Sequence, residues 1–322
     1  MDLRKALELN NMNWYVFYTI LAGCLWGMIS IFLRPLEAAG LTTMQILMLR
    51  GVLSSVMLLI FLLIKDRQQL KIRLKDIWMF IGTGVVSLTF FSFCYFKTIL
   101  EIGTSIAVIL LYTSPIFVLF FSMLLFKEKM TLIKTAALIM TFAGCILVAG
   151  VIGGGEHITL KGFLIGVCAG LGYALYSIFS RYALERYKPM TVTFYTFVFS
   201  RLSVIPFCKI TALKPLLFSS AVKPSTWLFL TGIALVCTVL PYIFYTKGLS
   251  GLETGLAAIL VTVEPLVGTL IGFILWKEAV SVTKIAGIVC IFAAVIMLGF
   301  KSDGKKDSKK ASDLPAENSD AI

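Results

Sequence analysis

Apolar residues along this chain run in blocks of about twenty, the length a helix needs to cross roughly 30 Å of hydrocarbon. The blocks fall at residues 14–33, 43–64, 76–96, 103–126, 132–152, 162–181, 190–208, 225–245, 252–276 and 282–300, with short polar segments between them. The third and fourth blocks are joined by a very short turn, as are the eighth and ninth. Each joined run is too long for one crossing and carries a charged turn, Lys97 to Glu101 in one and Lys247 to Glu253 in the other. Two helices therefore fit each run better than one. The pattern predicts an all-α membrane protein with ten transmembrane helices.

Composition strengthens this reading. Of 322 residues, 59% are hydrophobic and 14% charged, where a soluble domain has about 45–50% and about 25%. The formal net charge of +12 would suggest nucleic acid if it formed a basic face. The Lys and Arg residues instead lie between the apolar blocks, where they set orientation, so no nucleic-acid partner is expected. With a cytoplasmic N-terminus, 19 of the 29 basic residues fall on cytoplasmic segments and 8 on outer ones; Arg50 and Arg201 lie inside blocks. That bias places both termini in the cytoplasm of a cell-membrane protein. Residues 1–13 form the cytoplasmic N-terminus. The block that follows is too long for a signal-peptide core, and no small-residue cleavage site follows it. The polar, lysine-rich stretch 301–322 reads as a disordered cytoplasmic tail, able to meet anionic lipid headgroups.

The chain repeats itself. Residues 22–34 read AGCLWGMISIFLR and residues 169–181 read AGLGYALYSIFSR, with six identical positions. At an offset of about 150, Lys97 matches Lys247, Thr104 matches Thr254, Pro115 matches Pro265, Lys127-Glu128 matches Lys277-Glu278, and Lys134 matches Lys284; Arg50 matches Arg201. The repeats span 14–152 and 162–300. Each holds five predicted helices, an odd number, so the second copy enters the membrane from the opposite side. Such a 5+5 inverted-topology repeat is a signature of secondary transporters that work by alternating access.

In this order, several short motifs resemble EamA-type carriers of the drug/metabolite transporter superfamily. They are Trp26-Gly27 in the first helix, Arg50 early in the second, Ser114-Pro115 with Phe126-Lys127-Glu128 in the first half, and Tyr173-Ala174-Leu175-Tyr176 with Glu264-Pro265 and Trp276-Lys277-Glu278 in the second. The resemblance covers about residues 14–300. It implies ten helices, cytoplasmic termini and passage of small metabolites, often amino acids, with export the expected direction. One departure is that Ser114 stands where the second half has Glu264.

Candidate site residues follow from the cost of burying charge in lipid, which makes ionisable groups at membrane depth functional candidates. Arg50, Arg201 and Glu264 qualify. Glu264 could bind an ammonium group, carry a proton, or be tied to an arginine or to backbone amides. Each arginine could bind a carboxylate or hold helices together. Aligning the halves puts Arg50 nearer the outside and Arg201 nearer the inside, as paired gate elements would be. Pro115 and Pro265 interrupt helices at matching places and mark where a cavity is expected. Trp26, Tyr112, Tyr173, Tyr176 and Tyr242 sit deep enough to line it, whereas Tyr95 and Tyr245, near block ends, fit an interfacial belt. Lys127-Glu128 and Lys277-Glu278 read as gate locks, or as snorkelling lysines and helix-end caps.

No metal or cofactor is expected: the seven cysteines form no C-x-x-C pair, and His157 stands alone. There is no intramembrane Asp or His to build a catalytic constellation and no phosphate-binding G-x-x-x-x-G-K-[ST] loop. The chain is read as a non-enzyme, the alternatives being a membrane scaffold or sensor or an intramembrane enzyme. Expected partners are a small solute, protons and lipids. Gly268 and Gly272 permit close helix contact without requiring a dimer, so monomer and homodimer both stay open.

Overall fold

The computed structural model describes residues 3–149, 159–204, 224–277 and 281–312. Among them there are helices and no strands. The helices are α1 (Leu3–Gly27), α2 (Ile29–Ala38), α3 (Thr43–Lys65), α4 (Ile77–Ile81), α5 (Phe90–Ile102), α6 (Thr104–Leu111), α7 (Ser114–Phe126), α8 (Leu132–Ala149), α9 (Leu160–Leu184), α10 (Pro189–Val204), α11 (Pro224–Ala234), α12 (Leu240–Leu249), α13 (Thr254–Leu260), α14 (Glu264–Trp276) and α15 (Val282–Ser312). Eight runs among the described residues are long and apolar enough to cross a membrane. Five of them join consecutive helices, α1 with α2, α4 with α5, α6 with α7, α11 with α12 and α13 with α14, and three are the single helices α3, α8 and α9. The tenfold count expected from sequence also needs α10, whose description stops at Val204, and the apolar part of α15, Val282–Leu298.

Local chemistry explains where these helices begin and end. Thr42 and Gln45 make reciprocal hydrogen bonds that cap the start of α3. Gly103, at φ 87°, turns the chain between α5 and α6, a backbone conformation that glycine adopts at no steric cost. Lys127 and Lys277 end α7 and α14 in the left-handed conformation, at φ 55° and 52°. Between α4 and α5, and again between α11 and α12, a π-helical segment intervenes, Gly82–Thr89 and Leu235–Val239. In each, a threonine hydroxyl donates to a carbonyl five residues back: Thr89 to Gly84 at 3.0 Å and Thr238 to Ile233 at 3.0 Å.

Packing relies on small residues, as expected where lipid tails are as apolar as the side chains. A Cβ at Gly144 of α8 would meet the Gly287 carbonyl of α15, and one at Gly287 would meet the Gly144 carbonyl. Gly23 and Gly27 of α1 likewise lie against the backbone of Val261 and Glu264, which brings α1 onto the break between α13 and α14. Large apolar side chains such as Phe93, Leu124, Ile274 and Phe292 stay exposed on the outside, as a lipid-facing surface requires.

The ends differ from the sequence reading. The first helix begins at Leu3 rather than at residue 14, and the last continues to Ser312, past the expected start of a disordered tail at 301. Once a helix is nucleated, each added residue gains a hydrogen bond, so a membrane helix carries on into a Lys-rich flank. Residues 313–322 lie outside the described residues.

Candidate functional site

A cavity of about 270 Å³ lies in the middle of the bundle. Its walls come from α1, α2, α3, α5, α6 (through Leu111), α9 and the α11–α12 run, and Glu264, the first residue of α14, also lines it. It reaches the end of the bundle at Thr43, an exposed residue at the start of α3. Trp26, Phe91, Tyr95, Tyr173 and Tyr242 give it aromatic walls, and Arg50 gives it a cation.

Glu264 reaches the cavity because the helix is broken there. A 3₁₀ segment, Val261–Val263, separates α13 from α14, and Pro265 occupies the first turn of α14. Proline tolerates that position because its missing N–H would have no helical partner there. Among the described residues no ion pair or hydrogen bond holds the Glu264 carboxylate, and none holds the Arg50 guanidinium. Both charges line one cavity without neutralising each other directly. Tyr95, Tyr173 and Tyr242 line the same cavity as Glu264.

Tyr242 is the hub of the aromatic wall. Its ring meets those of Trp26 and Tyr176 edge-on at 5.2 Å each, and that of Phe197 at 5.1 Å. Beyond this layer, away from Thr43, the bundle closes. A void of about 10 Å³ between Trp26, Ser87, Tyr173, Tyr176 and Tyr245 has room for about one water. Tyr176 then hydrogen-bonds Thr246 at 2.8 Å, Ser177 hydrogen-bonds Tyr245 at 2.7 Å, and Arg181 donates to the Leu249 carbonyl at 3.1 Å. The cavity is thus accessible toward one end of the bundle and sealed toward the other.

The residues singled out from sequence divide accordingly. Trp26, Arg50, Tyr173, Tyr242 and Glu264 line the main cavity, and Tyr176 lines the small void beneath it. Tyr112 packs behind the wall, in an apolar cluster with Val263 and Leu266. Pro115 is buried in the packing of α7. Arg201 does not line the cavity: its guanidinium covers Gly51 on α3, where a Cβ would collide with it, and donates to the Leu47 carbonyl at 3.5 Å. Arg201 therefore lies beside Arg50 along α3, not toward the opposite membrane face as alignment of the halves suggests. The physical reason is that α10 carries Arg201 twelve positions from its start at Pro189, well up the helix toward the end where α3 begins.

Two tyrosines assigned to the interface belong elsewhere. Tyr95 lines the cavity and Tyr245 is 4% exposed within the closed end. Phe91, Ser92, Tyr95 and Phe96 form one face of α5 toward the cavity. The aromatic pair Phe91 and Tyr95, four apart, was the signal available for that face.

Comparison with known proteins agrees with this architecture. The model of the EamA-like transporter family matches residues 13–150 and again 160–300. An uncharacterized transporter of Archaeoglobus fulgidus is 26% identical over 203 residues, covering 63% of this chain and 70% of its own. The uncharacterized transporter YojE of Bacillus subtilis is 25% identical over 313 residues, covering 92% of this chain and 97% of its own. A solved crystal structure superposes with a TM-score of 0.74 at 18% identity, over 91% of this chain and 98% of the other, a likeness of fold.

Proposed function

The chain belongs to the EamA-like transporter family, and from that premise we propose that it is a secondary carrier moving a small zwitterionic metabolite, an amino acid in the first instance, out across the cytoplasmic membrane. The observation that carries the reading is the pair Arg50 and Glu264, opposite charges in one aromatic-walled cavity with no ion pair between them. A charge left in a low-dielectric site without a partner is costly. A solute bearing an ammonium and a carboxylate supplies both partners, the ammonium to Glu264 and the carboxylate to the fork of the Arg50 guanidinium. The aromatic walls accept its side chain, since tyrosine and tryptophan offer an apolar face with one polar edge. A volume of about 270 Å³ suits a solute smaller than the drug-sized ligands of ordinary pockets, which occupy about 300–1,000 Å³.

The rest of the reading is architectural. Ten helices in a 5+5 inverted repeat, residues 14–152 and 162–300, would exchange conformations and turn the cavity from one face to the other. With both termini cytoplasmic, as the lysine and arginine bias argues, the end at Thr43 faces outward, so the present arrangement is an outward-facing one. Glu264 is also where a proton would compete with the solute ammonium, which assigns coupling to the same residue.

The test is reconstitution of the purified chain into liposomes with a panel of amino acids. Saturable flux of at least one, matched by a thermal shift on binding, is the expected result. No flux and no shift across a broad metabolite panel would overturn the carrier. Glu264→Gln is expected to abolish flux driven by a pH gradient and to weaken solute binding as well, since the same carboxylate meets the ammonium; a pH-gradient-driven flux equal to that of the parent chain would remove Glu264 from coupling. Labelling of cysteines placed in the 67–75 and 153–161 loops from the same side would overturn the topology.

A further inference from the structure

At the sealed end of the bundle, two turns far apart in sequence grip each other. Lys127, in its left-handed conformation, ends α7 and turns Glu128 back toward the bundle. The Glu128 carboxylate accepts a hydrogen bond from the Thr254 backbone N–H at 2.6 Å with one oxygen, and from the Gly255 N–H at 3.1 Å with the other. Those N–H groups belong to the first turn of α13 and have no partner within their own helix. A helix is ordinarily capped by the residue just before it. Here that residue, Glu253, makes no cap; its carboxylate pairs with Lys134 of α8 instead. Lys134, itself buried, also donates to the Lys129 carbonyl at 3.1 Å. The α7–α8 turn therefore caps α13 in place of α13's own flank, and it does so only while the two turns touch.

We propose that Glu128, with the Lys134–Glu253 pair, is the lock of the cytoplasmic gate. The proposal rests on the carrier reading for its meaning in transport, but its structural content stands apart from any solute. Three features support a lock over a fixed cap. It lies beyond the Tyr176–Thr246 and Ser177–Tyr245 layer, at the closed end of the cavity path. It joins α7 and α8 of the first half to α13 of the second. Glu253 is exposed and Glu128 only half-buried, so water can solvate the separated groups and the open state is not penalised as a buried break would be. Gly255 completes the fit, because a side chain there would collide with Leu119 of α7.

The experiment places nitroxide labels on cysteines at Lys129 and Ser250, both exposed, in a cysteine-free full-length chain in nanodiscs, and reads the interlabel distance distribution by pulsed electron resonance. The parent chain should show mainly the short, closed distance. Glu128→Gln keeps the shape but loses the charge, and charge-assisted hydrogen bonds are roughly twice as strong as neutral ones. It should raise the longer-distance population roughly tenfold. Glu253→Gln should raise it less and serves if the first variant folds poorly. A lower melting temperature with an unchanged distance distribution in both variants would make Glu128 a static cap and overturn the proposal. A longer-distance population in a chain that transports no solute would leave the lock standing and remove the carrier reading instead.

Discussion

The run from α6 to α7 and the run from α13 to α14 are the same device used twice, and they differ where it matters. Both break just before a proline, Pro115 or Pro265, and both end on a left-handed lysine, Lys127 or Lys277. At the break the first presents Ser114, 4% exposed and packed among neighbours, while the second presents Glu264 to the cavity. Backbone geometry is shared between the halves; the charge is not. In the proposed carrier, a duplicated scaffold would rock about a pseudo-symmetric centre and still recognise an asymmetric solute, with one half supplying Glu264 and the other Arg50.

The comparison can be broken most violently by making the halves alike. Ser114→Glu puts a carboxylate at a position only 4% exposed, a change of about 3–5 kcal/mol by the cost of an uncompensated buried charge. It should abolish folded expression in a fluorescence-detected sizing assay; a stable, monodisperse variant would show that the first half tolerates what only the second is built for. Next in size is Glu264→Ala against Ser114→Ala. The first should weaken solute binding by about 2–5 kcal/mol, the range for truncating one partner of a buried charge pair. The second should leave solute binding unchanged, because Ser114 does not line the cavity, and its effect should be confined to stability, since the residue is buried. Calorimetric titration with the transported solute separates them, and equal losses would erase the asymmetry.

A smaller effect is expected at Arg50→Lys, which keeps the charge and loses the planar fork. Roughly a tenfold rise in KM for solutes with a free carboxylate, with no change for their amides, is the expected pattern. The same change for both would remove Arg50 from carboxylate recognition. The smallest effect is at the prolines themselves. Pro115→Ala and Pro265→Ala restore an N–H where none was needed, so each should shift stability by about 1 kcal/mol or less. Only Pro265→Ala should alter solute affinity, because only that break carries a cavity residue. Paired thermal melts and binding isotherms check this.

Much of this was legible along the chain. The apolar blocks, the doubled motif and the ionisable residues at membrane depth pointed to Arg50, Glu264, Trp26, Tyr173 and Tyr242, because cost of burial and spacing are local properties. For Tyr95, nearness to Lys97 suggests a helix end, whereas α5 continues to Ile102 and the residue lines the cavity. Matching Arg201 to Arg50 by offset does not reveal its depth, because Arg201 stands near the far end of α10, Pro189–Val204. Tyr112 shares the depth of the site but faces the packing of α1, α8, α14 and α15. The paired threonines at the two π segments, Thr89 and Thr238, were visible as residues but not as carbonyl partners five positions back.

By itself the sequence determined that this chain is helical, membrane-embedded and internally repeated, since hydropathy and periodicity depend only on neighbours along the chain. Only the tertiary structure decided which face of each helix meets the cavity, that Arg50 and Glu264 share it without pairing, and that Glu128 caps a helix 126 positions away. Those facts depend on helix rotation and on contacts between segments remote in sequence, which follow from the packing of the whole bundle.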